Sequence, residues 1–381
     1  MRTWLTGATG YIGGYVLAEL LRRGRDEAVY VLVRARDRDH AAHRLWRSVQ
    51  LHMSAEEFAD LADGRVHAVL GDLTAPRFGL DDGDWRSLAH DIDSFVHIAA
   101  SLNRKSAKAC FNVNLRGTLT MAQLAREAHE AGGVRRFVDV STTAAAGKRR
   151  NEVVAEDDMI SWDRSDYDPY ARTKKFCEHM IEELLPDIST VVVRPSTVLG
   201  DSRFPETTQF DMVRAFVFLA RLPYVPMDPS WRMDIVPADF VSDGICWVHH
   251  AETLDHASYN LSASRGSVRY AEITEALEPV LGRRARYIPA LAEPFSFVVD
   301  VAASERSPAT ISKAAALLKV FMPYIQYNTV FENQRIVAAL GREPAPFPSY
   351  AAGLMRFAES TRFTYPYRDW PATQPLPRVA L

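Results

Sequence analysis

Tyr170 and Lys174 stand four residues apart in Tyr170-Ala171-Arg172-Thr173-Lys174. That is one helical turn, so a phenol and an ammonium share a face. A free tyrosine gives up its proton at about pH 10, and a neighbouring cation favours the phenolate and pulls that value toward working pH. Tyr170 is therefore a candidate general acid or base. With 14 tyrosines and 7 lysines in 381 residues, chance supplies about a quarter of one such pair. The spacing alone is a moderate signal, and its weight comes from what lies upstream.

A third chemical group precedes the pair. The run Arg136–Val140 reads as a strand ending in Ser141-Thr142-Thr143, and hydroxyls at a strand's carboxyl end sit where open parallel sheets bind ligands. At the amino end, Thr3-Trp4-Leu5-Thr6-Gly7-Ala8-Thr9-Gly10-Tyr11-Ile12-Gly13-Gly14 passes from strand through a glycine-rich turn into a helix. Glycines at 7, 10 and 13 allow a tight turn, close approach to a pyrophosphate and close helix packing. Thr6, Thr9, Tyr11 and Ile12 join them as candidate cofactor-binding positions; a glycine turn without a ligand is the competing reading.

The second strand, Ala28–Val33, ends in Arg34-Ala35-Arg36, where a dinucleotide fold reads the ribose. An acidic residue there suits NAD, whereas the forked guanidinium of Arg34, with Arg44 a turn or two into the next helix, suits the extra phosphate of NADP. Solvated surface arginines are the alternative. Asp72, in Gly71-Asp72-Leu73 after the third strand, could accept the adenine amino group or cap a turn. Ala99 and Ala100, after a fourth strand over 94–98, leave room for the cofactor backbone. Asn114 could brace the neighbouring loop or be a satisfied polar group between helices. A sixth strand over 190–193 leads to Pro195, Thr197 and Val198, whose rigid turn could present backbone groups to a nicotinamide amide. The charged loop holding Lys148, Arg149, Arg150, Glu152, Glu156, Asp157 and Asp158 reads as solvated, with a clamp for the phosphates of a carrier arm as the rival.

The elements that must position these residues alternate strand and helix, which means a Rossmann-type α/β fold with a doubly wound parallel sheet. Residues 1–200 form the expected NADP-binding domain, with 234–264 returning to it. Residues 201–233 and 265–381 form a smaller, mainly helical C-terminal substrate lobe. There, Tyr270–Leu281 and 308–321 look helical, and Phe295, Phe297, Val298 and Val301 line an apolar tunnel or simply pack. The proline-bearing tail from Thr364 is assigned no element. Ser54-Ala55-Glu56-Glu57 reads as a capping box.

Composition narrows the classes. A net charge of -3 gives no reason to expect nucleic acid. Cys110, Cys177 and Cys246 lack disulfide or metal spacing, so no metal is expected and a reducing compartment fits. The longest apolar stretch, 210–224, is broken by Asp211, Arg214 and Arg221, short of a membrane span. A strand-like run at 2–5 leaves no space for a cleavable leader, and the expected location is cytoplasmic.

Taken together, the TGxxGxxG turn, the hydroxyl after the fifth strand and YxxxK resemble the extended short-chain dehydrogenase/reductase family over residues 1 to about 265. Within it the chain looks like NADPH-dependent thioester reductases, the terminal reductase domains of carboxylic acid reductases and peptide synthetases, and fatty acyl-CoA reductases. The residues carrying this likeness are Val31-Leu32-Val33-Arg34, Gly71-Asp72-Leu73, Val193-Arg194-Pro195-Ser196-Thr197-Val198-Leu199-Gly200-Asp201 and Asp234-Ile235-Val236-Pro237-Ala238-Asp239. The resemblance implies that Thr142, with Thr143 the other register, is the catalytic hydroxyl, that Tyr170 donates the proton, and that Lys174 also holds the nicotinamide ribose. It implies NADP(H) and an acyl thioester on coenzyme A or an acyl carrier protein, reduced to an aldehyde. The same residues would serve an oxidoreductase or epimerase acting on a secondary alcohol such as a sterol or nucleotide sugar. A non-catalytic NADP-binding sensor is a third reading, against which an intact Thr142, Tyr170 and Lys174 argue.

Overall fold

Strands buried on both faces need apolar side chains at successive positions, not alternate ones. Ala28–Val33 buries five of its six residues and Arg136–Val140 all five. Such strands can only be interior to a layered α/β structure. The computed structural model describes residues 1–292 and 326–379, with residues 294, 295, 299, 315, 318, 319, 322 and 324 between them. Phe297, Val298, Val301 and most of 308–321 lie outside the described residues.

The chain runs β1 (Arg2–Thr6), α1 (Tyr11–Arg23), β2 (Ala28–Val33), α2 (Arg38–Val49), α3 (Ala55–Ala62), β3 (Val66–Leu70), α4 (Asp82–Asp91) and β4 (Ser94–His97). It continues through α5 (Arg116–Gly132), β5 (Arg136–Val140), α6 (Pro169–Leu184), β6 (Thr190–Pro195), α7 (Asp211–Arg221), α8 (Ala238–His250) and β7 (Ser258–Leu261). After α9 (Tyr270–Leu281) come α10 (Gln334–Leu340) and α11 (Pro348–Ser360). The seven β-strands form one parallel sheet in the order β7-β6-β5-β4-β1-β2-β3. Strand order reverses between β1 and β4, and an open sheet binds ligands in the crevice at that point.

Two cores flank the sheet. One packs α1, α2 and α8 through residues such as Leu17, Leu45, Phe240 and Ile245. The other packs α4, α5 and α6 through Trp85, Met121, Leu124 and Ile181. The smaller lobe has its own core, with α7, α9 and α11 meeting at Val213, Ile273, Leu277 and Leu354, and Phe295 packed against it. The segment 234–250 returns to the sheet: Ile235–Val236 pairs with Thr197–Val198, and Phe240 and Val241 on α8 enter the first core. Although the sequence groups 265–381 with the smaller lobe, Ile336 of α10 and Trp370, Leu376 and Val379 of the tail pack into the first core. Trp370 meets Trp46 edge-on, with ring centroids 5.3 Å apart.

Some local expectations need correction. Ser54 caps α3 by accepting the Glu57 N–H at 3.1 Å, but Glu57 pairs with Arg22 at 2.7 Å, so only half of a capping box forms. The charged loop after β5 is not simply solvated. Arg149 is buried against Glu152 and Asp158, and buried Glu156 accepts the backbone N–H groups of Asn260 and Arg335. These groups tie the loop to the sheet's β7 edge and to α10.

At the opposite edge of the sheet from the crevice, Asp26 accepts from Thr3 Oγ1 at 2.6 Å, His249 Nε2 at 3.1 Å and His250 Nε2 at 2.8 Å. Among the described residues this is the one group of His, Cys, Asp and Glu close enough to share a metal ion; both histidines use Nε2 on Asp26, and their Nδ1 atoms are buried without a hydrogen-bond partner. Burial opposes ionisation of Asp26, but the bonds from His249 and His250 hold its carboxyl well below the usual range. Burial holds His249 below the usual imidazole value, and burial followed by the charge of Lys174 lowers His97 to about 3. All three groups bind fewer protons folded than unfolded, so their stabilisation is complete above about pH 6.5 and is lost as pH falls. The histidine part disappears first, from about pH 6.5 downward, and the Asp26 part below about pH 4. Urea unfolding should therefore give a free energy that declines by about a few kcal/mol between pH 7 and pH 4; a flat profile would contradict this.

Candidate active site

The site is assembled where β5 ends and α6 begins. Thr142 is extended, and its Oγ1 accepts the Ala144 N–H at 3.2 Å, starting a tight turn over Thr143–Ala146. Asp168 caps α6 by accepting the Ala171 N–H at 2.8 Å, with Pro169 at the first helical position. Helices favour this start. It places Tyr170 in the first turn, where its side chain lines the crevice together with Thr142. The same tyrosine is 8% exposed.

Lys174, one turn on, is only 1% exposed. Its Nζ donates to Asp139 Oδ1 at 3.3 Å, a carboxylate set between Val138 and Val140 on β5. Burial by itself would lower the Lys174 pKa, but Asp139 first, then Cys177 and Tyr170, together outweigh it and hold the ammonium above its ordinary value, while burial raises Asp139 with Lys174 opposing. For Tyr170 the balance goes the other way. Lys174 and Arg104 favour the phenolate, yet burial outweighs them and the phenol lies above its ordinary value. The depression expected from the four-residue spacing is thus absent, because the phenol is closed off from water.

A second buried pair fixes the helix. Glu178, a turn beyond Lys174, accepts from Arg194 of β6 at 2.8 Å and from the Ser141 hydroxyl. Arg194 of the Arg194-Pro195-Ser196 run therefore anchors α6 and does not face the cofactor crevice.

The crevice has a volume of about 960 Å³ and lies between the carboxyl ends of the strands and the smaller lobe. Gly7, Thr9, Gly10, Tyr11, Ile12, Gly13, Arg34, Arg44, Asp72, Leu73, Ala99, Ala100, Thr142, Thr143, Tyr170, Pro195, Thr197 and Val198 all line it. Thr6, Asn114 and Lys174 stand behind its wall. Thr6 Oγ1 bonds His97 Nδ1 at 2.7 Å and accepts the Ala99 N–H at 3.3 Å, shaping the loop after β4. Asn114 sits in a widened helical turn, Phe111–Leu115; it accepts the Ser101 N–H at 2.7 Å and donates to Thr173 Oγ1 at 2.9 Å. That ties the same loop to α6. Asp72 caps its own turn through Thr74 at 2.8 Å and keeps its second oxygen 3.8 Å from Arg34.

The residues suit a dinucleotide. A Cβ on Gly13 would fall 1.9 Å from the Gly7 carbonyl oxygen, and one on Gly7, at φ +81°, 2.8 Å from the Ala99 nitrogen. Only glycine lets helix, turn and loop approach this closely. Helix α1 starts at Gly10 without a side-chain cap or an acidic residue in its first turn, leaving its end open to an anion.

Some of the groups around Tyr170 and Lys174 carried no signal in the spacing. Arg104, in the loop after β4, holds its guanidinium 5.1 Å from the Tyr170 ring centre. Its Nε lies 3.4 Å from Asp168 and donates to Tyr324 at 3.3 Å, while the Tyr324 hydroxyl donates to Asp168 at 2.8 Å. Asp139 could have been noticed as a lone carboxylate inside Phe137-Val138-Asp139-Val140.

Removing one partner of a buried pair strands the other charge. Lys174→Ala should lower the unfolding free energy by about 3–5 kcal/mol, and Lys174→Met combined with Asp139→Leu should recover most of it. Denaturant unfolding checks both, and equal losses in the single and double variants would show that the pair is not what Lys174 contributes.

The chain matches the model of the male sterility protein family, an NAD-binding family, over residues 5–245. A linear gramicidin synthase of Brevibacillus parabrevis is 29% identical over 277 residues, 72% of this chain and 5% of that protein. The large subunit of L-2-aminoadipate reductase of Penicillium chrysogenum is 30% identical over 216 residues, 52% of this chain and 15% of that protein. The chain thus spans a small part of these relatives. The terminal R domain from the myxalamid PKS-NRPS biosynthetic pathway superposes with a TM-score of 0.80 at 23% identity, covering 95% of this chain and 92% of that one. A reductase domain of a nonribosomal peptide synthetase from Mycobacterium tuberculosis gives 0.72 at 21% identity, with the same coverage of 95% and 92%. These superpositions establish a shared fold. With the glycine cradle, the crevice at the reversal of strand order and the family match in agreement, the chain belongs to the male sterility protein family, a branch of the extended short-chain dehydrogenases/reductases, and is an NAD(P)-dependent oxidoreductase.

Proposed function

We propose that the chain is an NADPH-dependent reductase that converts an acyl thioester, carried on coenzyme A or a carrier protein, to an aldehyde. The observation that carries the reading is that Tyr170 and Thr142 line the same crevice as the glycine turn at 7, 10 and 13. Support for the thioester comes from the relatives, which include peptide synthetases and aminoadipate reductases, and from the likeness to a thiolation-reductase di-domain of an archaeal non-ribosomal peptide synthetase, with a TM-score of 0.74. Support for NADPH over NADH comes from Arg34, just after β2, and Arg44 on α2. Arg44 bonds the Arg34 carbonyl and lies 3.4 Å from Thr9 Oγ1, so two guanidinium groups border the crevice where a ribose phosphate would sit. Residues 1–200 with 234–264 would hold the cofactor, and 201–233 with the helices after 265 would close the acyl side. No helix among the described residues is long and apolar enough to cross a membrane, the three cysteines are free and buried, and we place the protein in the cytoplasm.

A bound reduced nicotinamide supplies hydride to the thioester carbonyl carbon. Thr142 and Tyr170 donate hydrogen bonds to the carbonyl oxygen, where negative charge collects, a contribution of about 3 kcal/mol per donor. Tyr170 then gives its proton to that oxygen, leaving a phenolate opposite Lys174 and Arg104. As the hemithioacetal collapses, its hydroxyl proton returns to Tyr170, the carbon–sulfur bond breaks, and the departing thiolate takes a proton from solvent. Aldehyde and thiol are the products.

The test follows NADPH or NADH absorbance against acyl-CoAs, acyl carrier protein thioesters, aldehydes, sterols and nucleotide sugars. NADPH oxidation with release of one thiol per acyl thioester is expected, with Tyr170→Phe slower by about 10²- to 10⁴-fold and little changed in cofactor affinity. Turnover confined to secondary alcohols or ketones would overturn the thioester reading, and an undiminished Tyr170→Phe rate would overturn the acid.

A further inference from the structure

The cation expected to act on Tyr170 is already engaged. Lys174 lies behind the wall of the crevice, and its ammonium rests on the buried carboxylate of Asp139 at 3.3 Å. A charge paired in this way acts more weakly on a neighbouring phenol than a bare one does. A second cation approaches Tyr170 from the open side. Arg104 lines the crevice, its guanidinium carbon 5.1 Å from the centre of the phenol ring. That is within reach for a cation on an aromatic face. Its direction is held from two elements: Asp168 at the start of α6 lies 3.4 Å from Nε, and the Tyr324 hydroxyl accepts from the same nitrogen at 3.3 Å.

We propose that Arg104 is a positioning residue for the acid, holding a positive charge over the crevice-facing side of Tyr170 while Asp139 offsets the charge of Lys174 beneath. The inference rests on Tyr170 being the acid of the proposed reaction. The groups facing the phenol are Lys174 from its own helix, Thr142 from the end of β5, Arg104 from the loop after β4, and Asp168 from the helix cap. Burial raises the phenol most, Lys174 and then Arg104 oppose it, nearby Thr142 adds to that opposition, and Asp168 raises it last and least. Asp168 pairs with Arg104 at 3.4 Å as Asp139 does with Lys174, and its oxygens also accept from the Ala171 N–H and the Tyr324 hydroxyl.

Arg104→Met and Arg104→Lys test the proposal in the NADP⁺-bound protein. Tyr170 ionisation is read as phenolate absorbance, taken as the difference from Tyr170→Phe, without any acyl substrate. Arg104→Met should move the appearance of the phenolate upward by about one pH unit, and Arg104→Lys should bring it back toward wild type. Turnover of the thioester should fall about tenfold to a hundredfold in Arg104→Met, with its alkaline limb displaced in the same direction. A phenolate that appears at the same pH in wild type and Arg104→Met, or at the same pH in Arg104→Met and Arg104→Lys, would overturn the proposal. The optical reading needs no reducible substrate, so failure of the thioester reading would leave this test intact.

Discussion

An ammonium against a carboxylate, both sealed from water, is the contact on which the site depends. Lys174 and Asp139 are 1% and 0% exposed. Withdrawing two such ions from water costs several kcal/mol each, and the attraction between them offsets this only when they meet squarely. Helix α6 is thereby held at one height against β5. One turn earlier on that helix, Tyr170 then stands on the crevice wall with Thr142, three residues after Asp139 and just past the end of the strand. The Glu178–Arg194 pair does the same one turn later, so α6 is pinned to two adjacent strands by charges that tolerate little sliding.

The cofactor side obeys a steric rule instead. Gly13 and Gly7 bring α1, the turn and the loop after β4 to distances at which any side chain would collide. The loop itself is kept in place by hydroxyls and an amide: Thr6 from below, Asn114 from the side. His97, neutral between Thr6 and Thr118, belongs to this support. The crevice wall therefore has an inner layer of polar groups that never face the ligand space.

Much of this was legible in the residues. The parallel sheet followed from apolar runs and glycine punctuation, and Tyr170, Thr142 and the glycines were marked by spacing and by their places at strand and helix ends. Other features were not. Thr6 and Lys174 read as contacts because their types suit a ligand, and His97 and Asp139, remote in sequence, engage them from within the protein; Asn114, read as a brace for the neighbouring loop, bonds Ser101 and Thr173. The pull of Lys174 on Tyr170 was read correctly in direction, but its outcome depends on burial, which spacing does not report. Arg104 and Tyr324 are 220 residues apart, and only folding brings them into contact beside Asp168. The tail from Thr364 carries no element, and its docking through Trp370 onto Trp46 has no periodic signature.

Hydride delivery to an acyl carbon is the central chemical claim, and isotope transfer reads it directly. NADPH bearing deuterium on one or the other face of the nicotinamide C4 should be turned over with an acyl thioester and the product examined by mass spectrometry and NMR. The account predicts that one of the two labelled forms places deuterium on the carbonyl carbon of the aldehyde, one per thiol released. Deuterium found instead on the carbinol carbon of a secondary alcohol, with the thioester left intact, would contradict it.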